Sequence, residues 1–174
     1  MNRACLFSSS SNKKAQSASR NIEERLRPHT WHTCNNFVPE IIEGKIIKCY
    51  DGDTVTIATI LNDTVVRFNI RMLGYDCAEM RSKDVQEKRV AKWAKDFITN
   101  LIYDKMVKVT KNNGYDKYGR LLLELECNGD NINNIMLDEW GIVYHGGKKQ
   151  KIDWSRWSVD GRDKINQDIE SFVK

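Results

Sequence analysis

Three short clusters in this 174-residue chain hold residue types that chemistry uses. Asp51-Gly52-Asp53-Thr54 lies between two β-branched runs. Arg71 closes a further apolar run in Arg71-Met72-Leu73-Gly74-Tyr75-Asp76-Cys77-Ala78-Glu79, with Asp76 and Glu79 just beyond it. Asp116-Lys117-Tyr118-Gly119-Arg120 leads into Leu121-Leu122-Leu123. Singly, these read as a turn, a solvated strand end with an ion pair, and a hairpin corner. Jointly they supply a fuller set of parts. Two aspartates at neighbouring strand ends can share a hard cation through oxygen ligands. Glu79 is near enough to Asp76 to position or deprotonate a metal-adjacent water. Arginines on two different strands can clamp a phosphate, because guanidinium matches phosphate oxygens in a bidentate way. A nucleophile, in-line placement and charge neutralisation are what phosphodiester hydrolysis needs.

The elements that must position these residues follow from periodicity. From Gly44 the apolar period is two: Lys45–Tyr50, Thr54–Ile60 and Val65–Leu73 read as strands, joined by turns at Asp51-Gly52-Asp53 and Asn62-Asp63. The period then changes. Val90, Trp93, Ala94, Phe97, Ile98 and Leu101 form a helical stripe. Met106–Thr110 is strand-like, Asn113-Gly114 a turn, Arg120–Cys127 a strand and Asn128-Gly129 a hairpin signal. Ile132, Ile135, Met136 and Trp140 predict a second helix, capped by Asn133 or Asn134 and ended at Gly141. A last helix is expected from about Arg162 to Val173. Five strands interrupted by one long helix fit an α+β fold, a small closed or partly open barrel. A parallel α/β sheet fits less well, because its strands need regular helical crossovers.

Composition narrows the class. With 40% hydrophobic and 30% charged residues the chain is that of a globular domain plus some spare length. No apolar run approaches the roughly 18 residues a membrane span needs. The net charge of +4 hints at nucleic acid or an acidic membrane as partner. Six basic and three acidic residues fall in 1–40, leaving 22 basic against 21 acidic for the remainder, so the expected fold is nearly neutral. The division expected is a basic, Ser-rich arm over 1–39, disordered at its start, and a folded domain over 40–174. A short helix at Asn21–Leu26 should stop before Pro28. The first 22 residues have six serines, four basic groups and no acid, the composition of an organelle-targeting leader, though a disordered arm is the simpler reading. Five cysteines without a CxxC pair suit an intracellular, reducing compartment, the cytoplasm.

In order and spacing, the DGDT, arginine–Asp-x-x-Glu and DKYGR motifs resemble the thermonuclease, or staphylococcal-nuclease-like, family over about Gly44 to Trp157. The run Gly146-Gly147-Lys148-Lys149 looks like the versions found in large DNA viruses. The resemblance implies a five-stranded OB-type barrel with about three helices and cleavage of DNA and RNA to leave 3′-phosphates. It implies one calcium ion held by Asp53, Asp76 and the main-chain carbonyl of Cys77. Glu79 is implied as general base or water-orienting group, and Arg71 and Arg120 as the phosphate-binding pair. Lys117 and Tyr118 are implied near the terminal phosphate or sugar of the bound strand, and Tyr144 is the nearest match to a substrate-facing tyrosine. The substrate expected is single-stranded or frayed nucleic acid, which a small barrel grips more readily than a duplex. The protein is expected to act as a monomer away from membranes.

Two departures bear on that reading. Cys77-Ala78 stands where the family has Thr-Pro. A backbone ligand survives that change, but the thiol is open to oxidation and the loop carrying Glu79 gains freedom. Replacing Arg71 or Arg120 by alanine should reduce cleavage and leave the fold intact. The other reading is a barrel that binds nucleic acid or protein without cutting. Elsewhere the simpler roles prevail: His29, His32 and Cys34 lack a fourth zinc ligand, and Trp154 is expected to pack against the barrel, not stack on bases.

Overall fold

The computed structural model describes residues 21–143 and 152–154. They divide between Phe37 and Val38 into two compact units. In the first, α1 covers 21–26, with an exposed Arg27–Glu23 ion pair at 3.3 Å, and the helix ends ahead of Pro28. The start of the N-terminal arm, the run Gly146–Lys149, Trp157 and the helix expected at 162–173 lie outside the described residues.

The second unit is a closed barrel. Strands β1 (Glu43–Cys49), β2 (Thr54–Leu61) and β3 (Thr64–Met72) form an antiparallel meander. Asn62 and Asp63 both adopt positive φ, 48° and 61°, which matches the right-handed twist of the β2–β3 hairpin. The two-residue strand β4 (Tyr75–Asp76) precedes helix α2 (Val85–Ile102). Strands β5 (Met106–Tyr115) and β6 (Leu121–Cys127) follow, then β7 (Asp130–Asn131), helix α3 (Ile132–Glu139) and β8 (Ile142–Val143). The barrel order is β3-β2-β1-β5-β6, and β6 returns to pair in parallel with β3. This is the expected α+β architecture of five barrel strands with three helices among the described residues. No described helix is long and apolar enough to cross a membrane.

Alternation fills the interior. Ile46, Val55, Ile57, Ile70, Met72, Leu121, Leu123 and Leu125 point inward and are fully or almost fully buried. Ala94, Ile98 and Ile102 of α2, with Ile132 and Met136 of α3, join the same core. The expected helical stripe is turned slightly: Ala91 and Ile102 are buried, while Trp93 stays 45% exposed. The helix also begins earlier than its apolar stripe, because the Asp84 side chain caps it by accepting from Gln86 N–H at 2.7 Å and Glu87 N–H at 3.2 Å.

Two turn expectations are corrected. Asn113-Gly114 does not end a strand. β5 runs on to Tyr115, the extra residues are taken up as an irregularity in its register with β6, and the chain reverses at Asp116–Gly119 instead. The cap of α3 is Asn131, which accepts from Asn134 N–H at 3.0 Å, and neither Asn133 nor Asn134. Asn133 is buried and serves the barrel seam. Its side-chain amide donates to Leu73 O at 2.9 Å and Leu123 O at 3.1 Å, and accepts from Leu125 N–H at 3.0 Å.

Candidate active site

The Asp51–Thr54 segment is more than a solvated turn. Tyr50 N–H and Asp51 N–H both reach Thr54 O, at 2.8 and 3.3 Å, and close it tightly. Its underside packs on α2 and on Cys77: a Cβ at Gly52 would come within 2.8 Å of Ala94 Cβ and 2.9 Å of Cys77 Sγ, so only glycine fits. The buried Tyr75 hydroxyl donates to Gly52 O at 2.9 Å and ties the turn to β4.

Asp53 is only 7% exposed, and its hydrogen bonds and ion pair offset the cost of burying a carboxylate. Oδ1 accepts from the Thr54 hydroxyl at 2.8 Å; Oδ2 accepts from Cys77 N–H at 3.0 Å and pairs with Arg71 Nη1 at 3.1 Å. Arg71 stands opposite Thr54 on the neighbouring strand, and its other nitrogen pairs with Asp76. One guanidinium therefore bridges the two aspartates expected as metal ligands. Asp76 itself is held where β4 pairs with β8, Asp76 opposite Ile142.

The third cluster arrives across the barrel closure, where Arg71 registers with Leu122. Asp116 shapes its corner: Oδ1 accepts from Tyr118 N–H at 2.8 Å and Arg120 N–H at 2.9 Å, and Oδ2 from Arg120 Nε at 2.7 Å. Gly119 has φ +78°, the left-handed conformation this turn requires. Burial pushes the Asp116 carboxyl up, but the bonds from Arg120 and Tyr118 outweigh it and hold the carboxyl below its ordinary range. Arg120 Nη1 then donates to Thr54 Oγ1 at 3.3 Å, joining this cluster to the first. Lys117 and the 72% exposed Tyr118 stand at the corner, with Lys117 Nζ 5.0 Å and Arg120 Cζ 5.5 Å from the Tyr118 ring centre.

Glu79 is exposed on the segment leading into α2. Ala78 fills the position of the family proline, buried against Val90, Ala91, Ile142 and Trp154, so Trp154 packs as expected. Glu79 N–H donates to Glu87 Oε1 at 3.1 Å, and Ser82 N–H to Glu79 O at 3.1 Å. These anchors hold the segment that was expected to gain freedom. Cys77 is likewise unlike its expectation. Its thiol is buried, lies 3.6 Å from Trp140 O, and is pushed well above its ordinary pKa by burial and by the nearby Asp53 charge. A buried thiol held in its protonated form is not open to oxidation. Tyr144 lies outside the described residues.

Sequence reasoning passed over Asp51 as an individual, although it belongs to the first motif. Its carboxyl is pushed up to about 6 by burial and by the charges of Asp53 and Glu79, and its Oδ1 is buried without a hydrogen-bond partner. An orphaned oxygen in a group of carboxylates suits a hard cation, and so does the all-oxygen chemistry of Asp53 and Asp76. Among the described residues no three His, Cys, Asp or Glu side chains stand together as a metal-holding group, and Arg71 links Asp53 to Asp76. His29, His32 and Cys34 are exposed.

Comparison with known proteins follows the same lines. Residues 69–151 match the family described as staphylococcal nuclease homologue. An uncharacterised protein of Bacillus anthracis is 31% identical over 107 residues, which cover 60% of this chain and 48% of the relative. The chain thus spans about half the length of that relative.

Proposed function

We propose that this chain, whose residues 69–151 match the staphylococcal nuclease homologue family, hydrolyses phosphodiester bonds of DNA or RNA with one calcium ion and leaves 3′-phosphates. The observation that carries the reading is the convergence of Arg71 and Arg120 on the Asp53–Thr54 pair from opposite sides of the barrel closure. Without substrate both arginines are held by carboxylates, Arg71 by Asp53 and Asp76, Arg120 by Asp116. A phosphate would take over guanidinium N–H groups already aimed at one place, so little side-chain entropy is lost on binding.

In this reading Glu79 takes a proton from the attacking water. The water oxygen adds to phosphorus, the bond to the 5′-oxygen breaks, and that oxygen takes a proton from solvent water, to which Glu79 returns the one it accepted. Arg71 and Arg120 neutralise the charge that builds on the phosphoryl oxygens. Asp53, Asp76 and the Cys77 carbonyl would hold the calcium, which when bound supplies Lewis-acid stabilisation of that charge. Cys77 N–H on Asp53 keeps the Cys77 backbone beside that carboxylate, which supports the assignment. Exposed Tyr118 with Lys117 beside it favours a splayed single strand, whose bases offer a face to stack. The four cysteines among the described residues are free thiols, three of them buried, which supports a reducing compartment.

The test is digestion of plasmid DNA and RNA with calcium, with magnesium and with excess EGTA, for the wild type and Glu79→Gln. Cleavage that needs calcium and falls by orders of magnitude in Glu79→Gln supports the reading. Cleavage that survives EGTA overturns the calcium assignment. Binding of nucleic acid with no cleavage in any condition favours the other reading, a barrel that binds without cutting.

A further inference from the structure

A second aromatic group stands at the other end of the Asp51–Asp53 turn. Tyr50 follows β1 and is half-buried; Lys48 Nζ lies 5.4 Å from its ring centre and Arg81 Cζ 5.5 Å. The two cations come from separate parts of the chain, β1 and the segment between β4 and α2, and both are exposed. Among the described residues neither has a carboxylate at ion-pair distance. Two exposed cations on one ring, neither in an ion pair, offer positive charge to an arriving phosphate.

The composition repeats that of the Tyr118 corner, where Lys117 and Arg120 flank the ring. The two groups attach to opposite ends of one turn. Arg120 reaches Thr54 at its C-terminal end, while Tyr50 forms its N-terminal end through its N–H on Thr54 O at 2.8 Å. The Met80 backbone is near enough to the Asp51 carboxyl to act on its pKa, and Arg81 follows Met80, two residues from Glu79. Both ring-and-cation groups are thus connected to the turn that carries Asp53, one through Tyr50 and one through Arg120.

We propose that Lys48, Tyr50 and Arg81 form a second nucleotide subsite. It receives backbone phosphate and base of a single strand on the Glu79 side of the scissile phosphate, while Lys117, Tyr118 and Arg120 receive the other side. The inference rests on the nuclease reading above for its position relative to the scissile bond. Cations supply the sequence-independent grip and the ring a stacking face, the pairing that single-strand binders use.

The experiment measures binding of a fluorescein-labelled dT12 oligonucleotide to the full chain in EDTA across a salt series, with melting temperatures for every variant. Lys48→Ala/Arg81→Ala alters only exposed side chains and should weaken binding while lowering the salt slope by about one. Tyr50→Ala should weaken it about tenfold, and Tyr50→Phe should bind as the wild type does. Unchanged affinity and slope in the folded double variant would overturn the subsite: the cations then merely lay their alkyl stems on the tyrosine. Parallel digestion with calcium separates the two ideas. A wild type that cuts, with a double variant that binds and cuts equally well, ends the subsite alone. A wild type that never cuts, with a double variant that loses binding, ends the nuclease reading and keeps the strand-binding group.

Discussion

The Thr54 hydroxyl stands between Asp53 and Arg120, donating to Asp53 Oδ1 at 2.8 Å and accepting from Arg120 Nη1 at 3.3 Å. Thr54 is next to Asp53 in sequence and 66 positions from Arg120. Barrel closure makes them neighbours, and the small hydroxyl transmits the position of a buried carboxylate to an arginine at the rim. Pairing of Asp116 with Arg120 Nε fixes the other side of the same guanidinium. Arg120 is thus aimed from two sides before any phosphate arrives, which is how preorganised charge lowers a barrier.

Thr54→Val keeps the β-branched shape and deletes the hydroxyl. We expect a stability loss of about 1 kcal/mol, typical of one lost hydrogen bond, and a fall in kcat/KM of about tenfold as Arg120 loses one of its two guides. Arg120→Ala should lose about a hundredfold or more with little change in melting temperature, because the side chain is partly exposed and its removal leaves Asp116 with backbone donors. Steady-state kinetics with thermal melts checks both. A Thr54→Val enzyme as fast as the wild type would refute the guiding role.

Arg71→Ala should behave differently from Arg120→Ala, and differently from what the motif alone suggests. Its side chain is 11% exposed and pairs with the buried Asp53. Removing it strands a carboxylate in the barrel wall, at a cost of about 3 kcal/mol. The expected fold-neutral loss of activity is therefore corrected: cleavage and stability should fall together. Denaturant unfolding of Arg71→Ala settles the point, and a midpoint equal to that of the wild type would contradict the buried pair.

The distance between motif and site shows what a sequence can carry. Strand alternation, the Asn62-Asp63 turn and the α2 stripe are local patterns, and they placed four of the five barrel strands closely. The fifth, β5, was cut short because Asn113-Gly114 carries a turn signature, whereas pairing with β6 carries the strand past it. The three motifs were visible as types and spacings. What joins them was not: Thr54 to Arg120 and Asp53 to Cys77 are long-range contacts with no periodic signal. Asn133 was hidden for the same reason, since it looks like a helix cap and its partners lie on β6 and beyond β3.

Asn133→Ala tests that seam. The change removes the side-chain partner of Leu125 N–H and Leu73 O, close to where β3 and β6 close the barrel, while Leu123 O keeps Leu73 N–H at 2.9 Å. Buried backbone groups left without partners cost about 1–3 kcal/mol each, so a net loss of about 3 kcal/mol is expected. Asn134→Ala, one residue along the same helix and not at the seam, is the control. Equal melting temperatures for the two variants would show that the seam does not depend on Asn133.

Asp51 gives the pH dependence its sign. Its folded pKa is raised from the ordinary 3.8 to about 6. The protonated form is thus favoured by folding, and this contribution is complete below about 3.8 and lost as pH rises through about 6. At neutral pH an ionised Asp51 works against the fold, together with the charges of Asp53 and Glu79. Such a shift would be worth about 3 kcal/mol in a closed interior. Asp51 is only partly buried, and solvent screening brings the expected gain from Asp51→Asn in metal-free protein to about 1 kcal/mol at pH 7. At pH 4 the two proteins should melt together. Calcium should reverse the order at pH 7, raising the melting temperature of the wild type more than that of Asp51→Asn, because a cation among these carboxylates favours the charged form. Melting curves at both pH values, with EDTA and with calcium, read out all of these differences. A destabilised Asp51→Asn protein in EDTA at pH 7 would mean that the carboxyl already has a favourable partner, and that the cluster does not seek a cation.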